Sequence, residues 1–204
     1  MNRDEERRTI ELAMAGDRSA AGALVRAHQR SLHAYIVRMC GRPDVAEDIV
    51  QEAFVRALTN IDRFDFRFRF STWLFTIGRR LFLNYVQKMR PAYDSDVVGG
   101  ARGWEHDPAA TTTAQDTRDV RRAELDRALA GLSVEQREVL ILFHQHEWPI
   151  ALISAHTGMP EGTVKSHLHR GRRRLKDLLE ADAGVHARLE WTTPQAVYGG
   201  GRRA

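Results

Sequence analysis

The stretch Pro149–Leu179 reads PIALISAHTGMPEGTVKSHLHRGRRRLKDLL, and its reading decides the fold. A short apolar segment, a turn holding Gly158 and a long basic segment follow one another without a gap. Gly158 can take the left-handed conformation that ends a helix without a Cβ clash. Pro160 pre-sets φ and needs no N–H partner, which suits the first turn of the next helix. Beyond it Val164, Leu168, Gly171, Leu175 and Leu178 recur at helical spacing and form one buried stripe. Lys165, Ser166, His169, Arg170 and Arg173 fall off that stripe. This is the pattern of a helix-turn-helix, whose second helix sets its N-terminal residues against base edges in a major groove. Lys and Arg pair bidentately with guanine and Ser with several base edges, at about 1–3 kcal/mol of discrimination per good pair. Arg172, Arg174 and Lys176 lie further along, at positions suited to phosphate contacts.

The rest of the chain agrees with a polyanionic partner. Its 204 residues carry 31 Lys+Arg against 27 Asp+Glu, a net charge of +4. The excess is small but unevenly placed. Residues 1–62 nearly balance, 63–90 are dominated by basic side chains, 91–119 lean acidic, and 165–176 are basic again. Two basic surfaces separated by an acidic connector predict two contacts with one nucleic acid. A single cysteine, Cys40, excludes an intrachain disulfide, and its apolar surroundings read as a buried position. No apolar run is long enough to span a membrane, and the charged N-terminus lacks a signal-peptide core. A cytoplasmic protein without membrane insertion is expected.

Nearly every periodic segment reads as helix. A short helix is predicted over 10–15. A long one follows over 19–39, with Leu24, Leu32, Ile36 and Met39 on one face, stopped by Gly41-Arg42-Pro43. Asp44 is the expected cap of the next, over 45–60. Its apolar face carries Ile49, Val50, Ala53 and Phe54, and its polar face Asp48, Gln51 and Glu52. Ser71 is the expected cap of a helix over 72–89. Residues 91–117 hold Gly99-Gly100 and Pro108 without apolar period and read as a flexible linker. A helix over 120–130 opens the second domain, and Ser133 with Gln136 predicts a capping box before the next one. The expected architecture is all-α. Two small helical domains, 1–90 and 118–180, are joined by the linker 91–117, and a tail over 181–204 carries Trp191 and Tyr198.

Between the third and fourth helices the chain reads RFDFRFRF over residues 63–70. Strict alternation is a strand signature, but no second strand pattern exists to pair with it, so an ordered loop is expected. Phe64, Phe66, Phe68, Phe70, Trp73 and Phe75 cluster in sequence with Arg67, Arg69, Arg79 and Arg80. Aromatic rings among cations suit single-stranded nucleic acid, because bases stack on rings while cations hold phosphates.

Four segments together resemble a family. DVAEDIVQEAFVRAL (44–58), FSTWLFTIGRR (70–80), LSVEQREVL (132–140) and PEGTVKSHLHRGRRRL (160–175) are similar, in order, to bacterial RNA polymerase sigma factors of the extracytoplasmic-function (ECF) type. The resemblance implies that 1–90 binds core polymerase and recognises and melts the −10 element, and that 118–180 reads the −35 element. It implies contact between Asp48, Gln51 and Glu52 and the β′ clamp helices, and between the second domain and the β flap. The −10 side would use Arg67, Arg69, Trp73, Arg79, Arg80 and Asn84. The −35 side would use Lys165, Ser166, His169, Arg170 and Arg173. An anti-sigma factor is an implied partner; no cofactor, metal or catalytic residue is implied. Arg80 stands where the family commonly has Asn, and His167 where Arg is common.

Two other readings are weighed against this one. His144 with His146, and His167 with His169, invite a metal site and an enzyme. Residues two apart point to different sides of a helix, unlike the four-residue spacing of helical zinc pairs. No phosphate loop or nucleophile motif is present. A helix-turn-helix regulator acting without core polymerase is the second alternative; it would bind a palindromic duplex alone.

Overall fold

A reciprocal capping box between Asn2 and Glu5 starts the first helix, α1 (Arg3–Met14). It therefore begins seven residues earlier than the apolar pattern alone predicted. Charged side chains hide the periodicity of its first turns. In this computed structural model residues 1–89 and 117–190 are described. Asp17 caps α2 (Arg18–Cys40) by accepting from the backbone of Ser19 and Ala20, and Gly41 ends it at φ 68°. Pro43 occupies the first turn of α3 (Pro43–Thr59). Asp44 lies inside that helix and pairs with Arg42, so it is not the cap the sequence suggested. A 3-10 turn (Ile61–Arg63) leads to a loop and then to α4 (Phe70–Met89). The loop replaces the alternating pattern by an ordered, non-strand path, as expected. Ser71 is not the cap of α4, because the helix starts one residue before it.

The second set comprises α5 (Thr117–Ala130), α6 (Val134–His144), α7 (Ile150–Thr157) and α8 (Glu161–Glu190). The Ser133 hydroxyl accepts from Gln136 N at 3.3 Å, the forward half of the predicted capping box. The last helix does not stop at 180 but continues through residues 181–190, which were assigned to the tail. Trp191 and Tyr198 lie outside the described residues, as does the linker up to the start of α5.

Helix α2 is the axis of the first set, with α1, α3 and α4 around it. Leu24, Leu32, Ile36, Ala46, Ala53, Leu74 and Phe82 are buried at their contacts. The approach of α4 is close: a Cβ on Gly78 would stand 3.0 Å from Leu32 Cδ1. In the second set α6, α7 and α8 bury Val139, Leu142, Ile153, Val164 and Leu168. Gly171 serves α8 as Gly78 serves α4, since a Cβ there would meet Leu140 Cδ1 at 3.1 Å. The helix-turn-helix is thus held against α6 by its predicted apolar stripe.

The two sets also pack on each other, with α5 and α6 resting on α2. Arg137 is only 3% exposed and ties two helix ends together. Its guanidinium donates to Leu129 O and Ala130 O at 2.8 Å each, at the end of α5, and to Met39 O at 2.7 Å, near the end of α2. Those carbonyls lack intrahelical partners and carry the negative end of each helix dipole, so a buried cation satisfies both needs. Arg137→Met keeps the volume and removes the donors. It is expected to lower unfolding free energy by roughly 2–3 kcal/mol, read as a lower denaturant midpoint at unchanged slope.

Candidate nucleic-acid interface

The helix-turn-helix is built by local chemistry. Gly158 has φ 76° and donates its N–H to Ser154 O at 2.9 Å. The Ser154 hydroxyl donates across the turn to Met159 O at 2.6 Å, which locks the entry to α8. With Val164 and Leu168 buried, the opposite face of α8 must be presented to solvent. Lys165, Ser166, His169 and Arg170 are brought together there and line one open depression. Arg173 is exposed one turn further on, outside the depression. The face is lightly held. Lys165 stands 4.0 Å from Glu161, both in solvent, and the Ser166 hydroxyl donates to Gly162 O at 2.9 Å. Arg172 is placed differently: its Nε donates to His144 Nε2 at 3.0 Å and its guanidinium lies 5.2 Å from the Phe143 ring.

The basic and aromatic residues of the first set fall into three groups. Trp73, Arg80 and Asn84 lie at seven- and four-residue intervals along one stripe of α4, with Arg80 and Asn84 exposed. Trp73 is half-buried and packs on Phe64 and Phe70 at ring distances of 5.4 and 5.9 Å. Phe64 and Phe70 are buried, whereas Phe68 is 51% exposed at the loop tip. A cleft of about 300 Å³ opens beside Phe68 and Trp73. The second group is the loop itself. Arg67 pairs with Asp65 at 2.6 Å, which holds the Asp65 carboxyl below the usual range, and Arg69 pairs with Glu6. The third is Arg79, which turns away from Arg80 and Asn84 towards the second set of helices.

Asp48, Gln51 and Glu52 are all exposed on α3, because Ile49, Val50, Ala53 and Phe54 take its buried side. Glu52 pairs with Arg56 at 2.6 Å. Val55 completes this face at 59% exposure, an apolar member that the polar reading of the sequence passed over. Its position seven residues after Asp48 was the available signal.

Where the two sets meet, one carboxylate gathers groups from three other helices. Glu138 on α6 is 1% exposed. Its Oε1 accepts from Tyr35 Oη of α2 at 2.8 Å and from Arg79 Nε of α4 at 2.7 Å, and His156 Nε2 of α7 comes within 3.6 Å. Burial alone would raise its pKa; the contacts with His156 and Arg79 outweigh that and hold it below the ordinary 4.5. Thr76 Oγ1 lies 3.2 Å from His156 Nδ1. Around this group Tyr35 stacks on Phe75 at 5.0 Å, and His146 meets Phe75 edge-on at 4.9 Å. Leu152 and His156 of α7 form the far wall of the cleft beside Trp73.

His144 and His146 point apart, one towards Arg172 and the other into the Tyr35–Phe75 stack. Among the described residues no group of three or more His, Cys, Asp or Glu side chains is placed to hold a metal ion. Among the same residues no helix is long and apolar enough to cross a membrane.

Family models match both helical sets: sigma-70 region 2 over residues 24–91 and sigma-70 region 4 over 122–175. The chain is 33% identical to the ECF RNA polymerase sigma factor SigW of Bacillus subtilis, over 85% of its own length and 96% of that protein. It is 34% identical to the ECF sigma factor EcfG of Rhodopseudomonas palustris, over 83% and 90%. The chain belongs to the ECF sigma-factor family. Among solved structures it is similar to the sigma factor RpoE of Bartonella quintana, crystallised with the anti-sigma factor NepR. That likeness has 30% identity, covers 79% of this chain and 97% of that one, and has a TM-score of 0.61. An ECF sigma factor binds core RNA polymerase and directs promoter-specific initiation, and that is the function of this chain. Family membership supports a non-catalytic role. The reading as a regulator independent of polymerase is not favoured.

Sequence reasoning about this sigma factor missed Glu6, Glu138 and His156. In the local sequence none of them stands out from its neighbours, and only long-range packing gives each its partners. The contact between the domains has a signed pH dependence. His146 is pushed down from 6.5 to about 4 by burial and by Arg38. It is neutral in the fold, so its contribution is full above 6.5 and shrinks as pH falls towards 4. Glu138, held below 4.5, contributes above that value and is lost at lower pH. The thermal midpoint is therefore expected to fall between pH 7 and 4.5. His146→Phe, which cannot protonate, is expected to flatten that fall, measured by calorimetry across the range; an unchanged profile counts against His146 as a source.

Proposed function

We propose that this sigma factor divides promoter recognition between the two faces described above, with residues 1–90 acting at the −10 element and 118–180 at the −35 element. The observation that carries the reading is the convergence of Lys165, Ser166, His169 and Arg170 on one exposed face at the start of α8. They read the −35 major groove, and Arg173 touches the backbone beside it. His169 gives this face a donor or acceptor where a second Arg would give only donors, so its base preference differs from an all-basic face.

At the −10 element, Trp73, Arg80 and Asn84 form the exposed stripe that meets the non-template strand, with Arg67, Arg69 and Phe68 on the loop above. An extruded base would stack against Phe68 and Trp73, on the wall of the cleft that the first domain supplies and that is uncovered when the domains part, and stacking offsets the few kcal/mol that extrusion costs. Arg79 is paired with the buried Glu138 of α6 in this arrangement. It reaches DNA only once the two domains part, as they must to meet elements a full promoter spacer apart. The linker 91–117 permits that separation. Asp48, Gln51 and Glu52, with Val55, grip the β′ clamp helices, and the second domain meets the β flap. The protein works in the cytoplasm, where the polymerase is. Because RpoE of Bartonella quintana is held by NepR, an anti-sigma factor is inferred as a partner here too.

Lys165→Ala and Arg170→Ala are each expected to lower transcription from the cognate promoter by about 1–3 kcal/mol equivalent. Neither change should alter core binding, measured by competition with a second sigma factor. Unaltered promoter preference in both variants would count against α8 as the reader. Trp73→Ala is expected to impair open-complex formation more than polymerase binding; equal loss of both would make it a packing residue.

A further inference from the structure

The first helix lies outside both family-model matches, and nothing above gives it a task. It packs on α2, and its long-range polar contacts run to the loop between the 3-10 turn and α4. Glu6 is 3% exposed, an unusual place for a carboxylate. Its Oε1 accepts from Phe70 N at 2.7 Å, the first amide of α4. Its other oxygen pairs with the Arg69 guanidinium. Arg69 also donates to Met1 O at 3.2 Å, and Arg3 donates to Arg67 O at 3.3 Å. Arg7 lies 5.0 Å from the centre of the Phe66 ring. Four contacts from one helix therefore reach Arg67, Arg69, Phe66 and Phe70, while Phe68 is left in solvent.

We propose that α1 is the base on which the promoter-opening loop is set, and that Glu6 is its positioning residue. The inference rests on the reading of loop 63–70 and Trp73 as the −10 element. The physical argument is one of preorganisation. A helix N-terminus leaves unpaired N–H groups and a partial positive charge, which a carboxylate satisfies. Glu6 does this from a distant part of the chain, so capping α4 also anchors its start to α1. The loop carries Arg63, Arg67 and Arg69 within seven residues, and their mutual repulsion would spread it. Pairing Arg69 with Glu6 lowers that repulsion and fixes its direction, while Arg67 and the Phe68 ring face outward beside it. A loop ordered in advance does not lose its conformational freedom when the single strand arrives. Glu6 touches no DNA in this scheme; it acts through Arg69 and Phe70.

The test compares Glu6→Ala and Glu6→Gln in the full chain with core polymerase. Opening is followed by 2-aminopurine placed in the −10 non-template strand, on duplex promoter and on a template already melted there. Glu6→Ala is expected to slow opening of the duplex about tenfold, with a clearly smaller defect on the melted template and unchanged competition for core. Glu6→Gln keeps an oxygen for Phe70 N but not the charge for Arg69, and is expected to fall between. Amide exchange at Phe68 and Phe70 should quicken in Glu6→Ala while that of α2 stays slow. Normal duplex opening in Glu6→Ala overturns the proposal, provided Trp73→Ala is defective on the same template. Normal opening in Trp73→Ala overturns the parent reading and this one with it. A loss of core binding equal to the loss of opening makes Glu6 a stability residue only and also overturns it.

Discussion

The buried carboxylate of Glu138 is the constraint around which the two halves of the molecule are arranged. An ionised group removed from water is costly unless donors replace the water; here they come from Tyr35 of α2 and Arg79 of α4, with His156 of α7 close by at 3.6 Å. Each donor fixes the position of its own helix. Removing one partner leaves a charge unpaired, at about 3–5 kcal/mol. The assembled network itself contributes little net stability, because its members are equally well solvated when apart. An interface held in this way specifies one geometry without binding the halves tightly. That suits the proposed separation of the two domains on polymerase.

The same exchange of carboxylate for water recurs along the loop before α4 and on α4. Arg67 has Asp65, Arg69 has Glu6 and Arg79 has Glu138. Three cations of the first domain are thus placed by anions of the same chain, each of which gives the side chain a defined direction. The exposed pair is worth little energy, and the buried ones hold geometry. The α8 face is organised on the opposite principle. Its side chains are held loosely, and what positions them is the helix beneath, pinned by Val164, Leu168 and the close approach at Gly171.

Much of this was legible in the amino-acid order because it depends on neighbours three or four residues apart. The apolar stripe of α8 predicted which residues would face out, and Gly158 adopts the left-handed turn its lack of a Cβ allows. The exposed face of α3 followed from the burial of Ile49, Val50, Ala53 and Phe54. Local signals failed where a distant group did the work. Ser71 looked like the cap of α4, but the amide of Phe70 is met by Glu6 from the other end of the domain. Asp44 looked like a cap and is instead the partner of Arg42. The start of α1 was missed because its first turns are charged on all sides.

The order of residues by itself determined the helices, the turn between α7 and α8 and the family, since periodicity, turn chemistry and motif spacing are properties of short segments. Only the tertiary structure decided which cations are presented and which are held. It turned Arg79 inward onto Glu138 while leaving Arg80 exposed beside it, although the two are adjacent in a run of like character. The reason is physical. Successive residues on a helix differ in direction by about 100°, and the environment each one meets is set by elements far away in the chain.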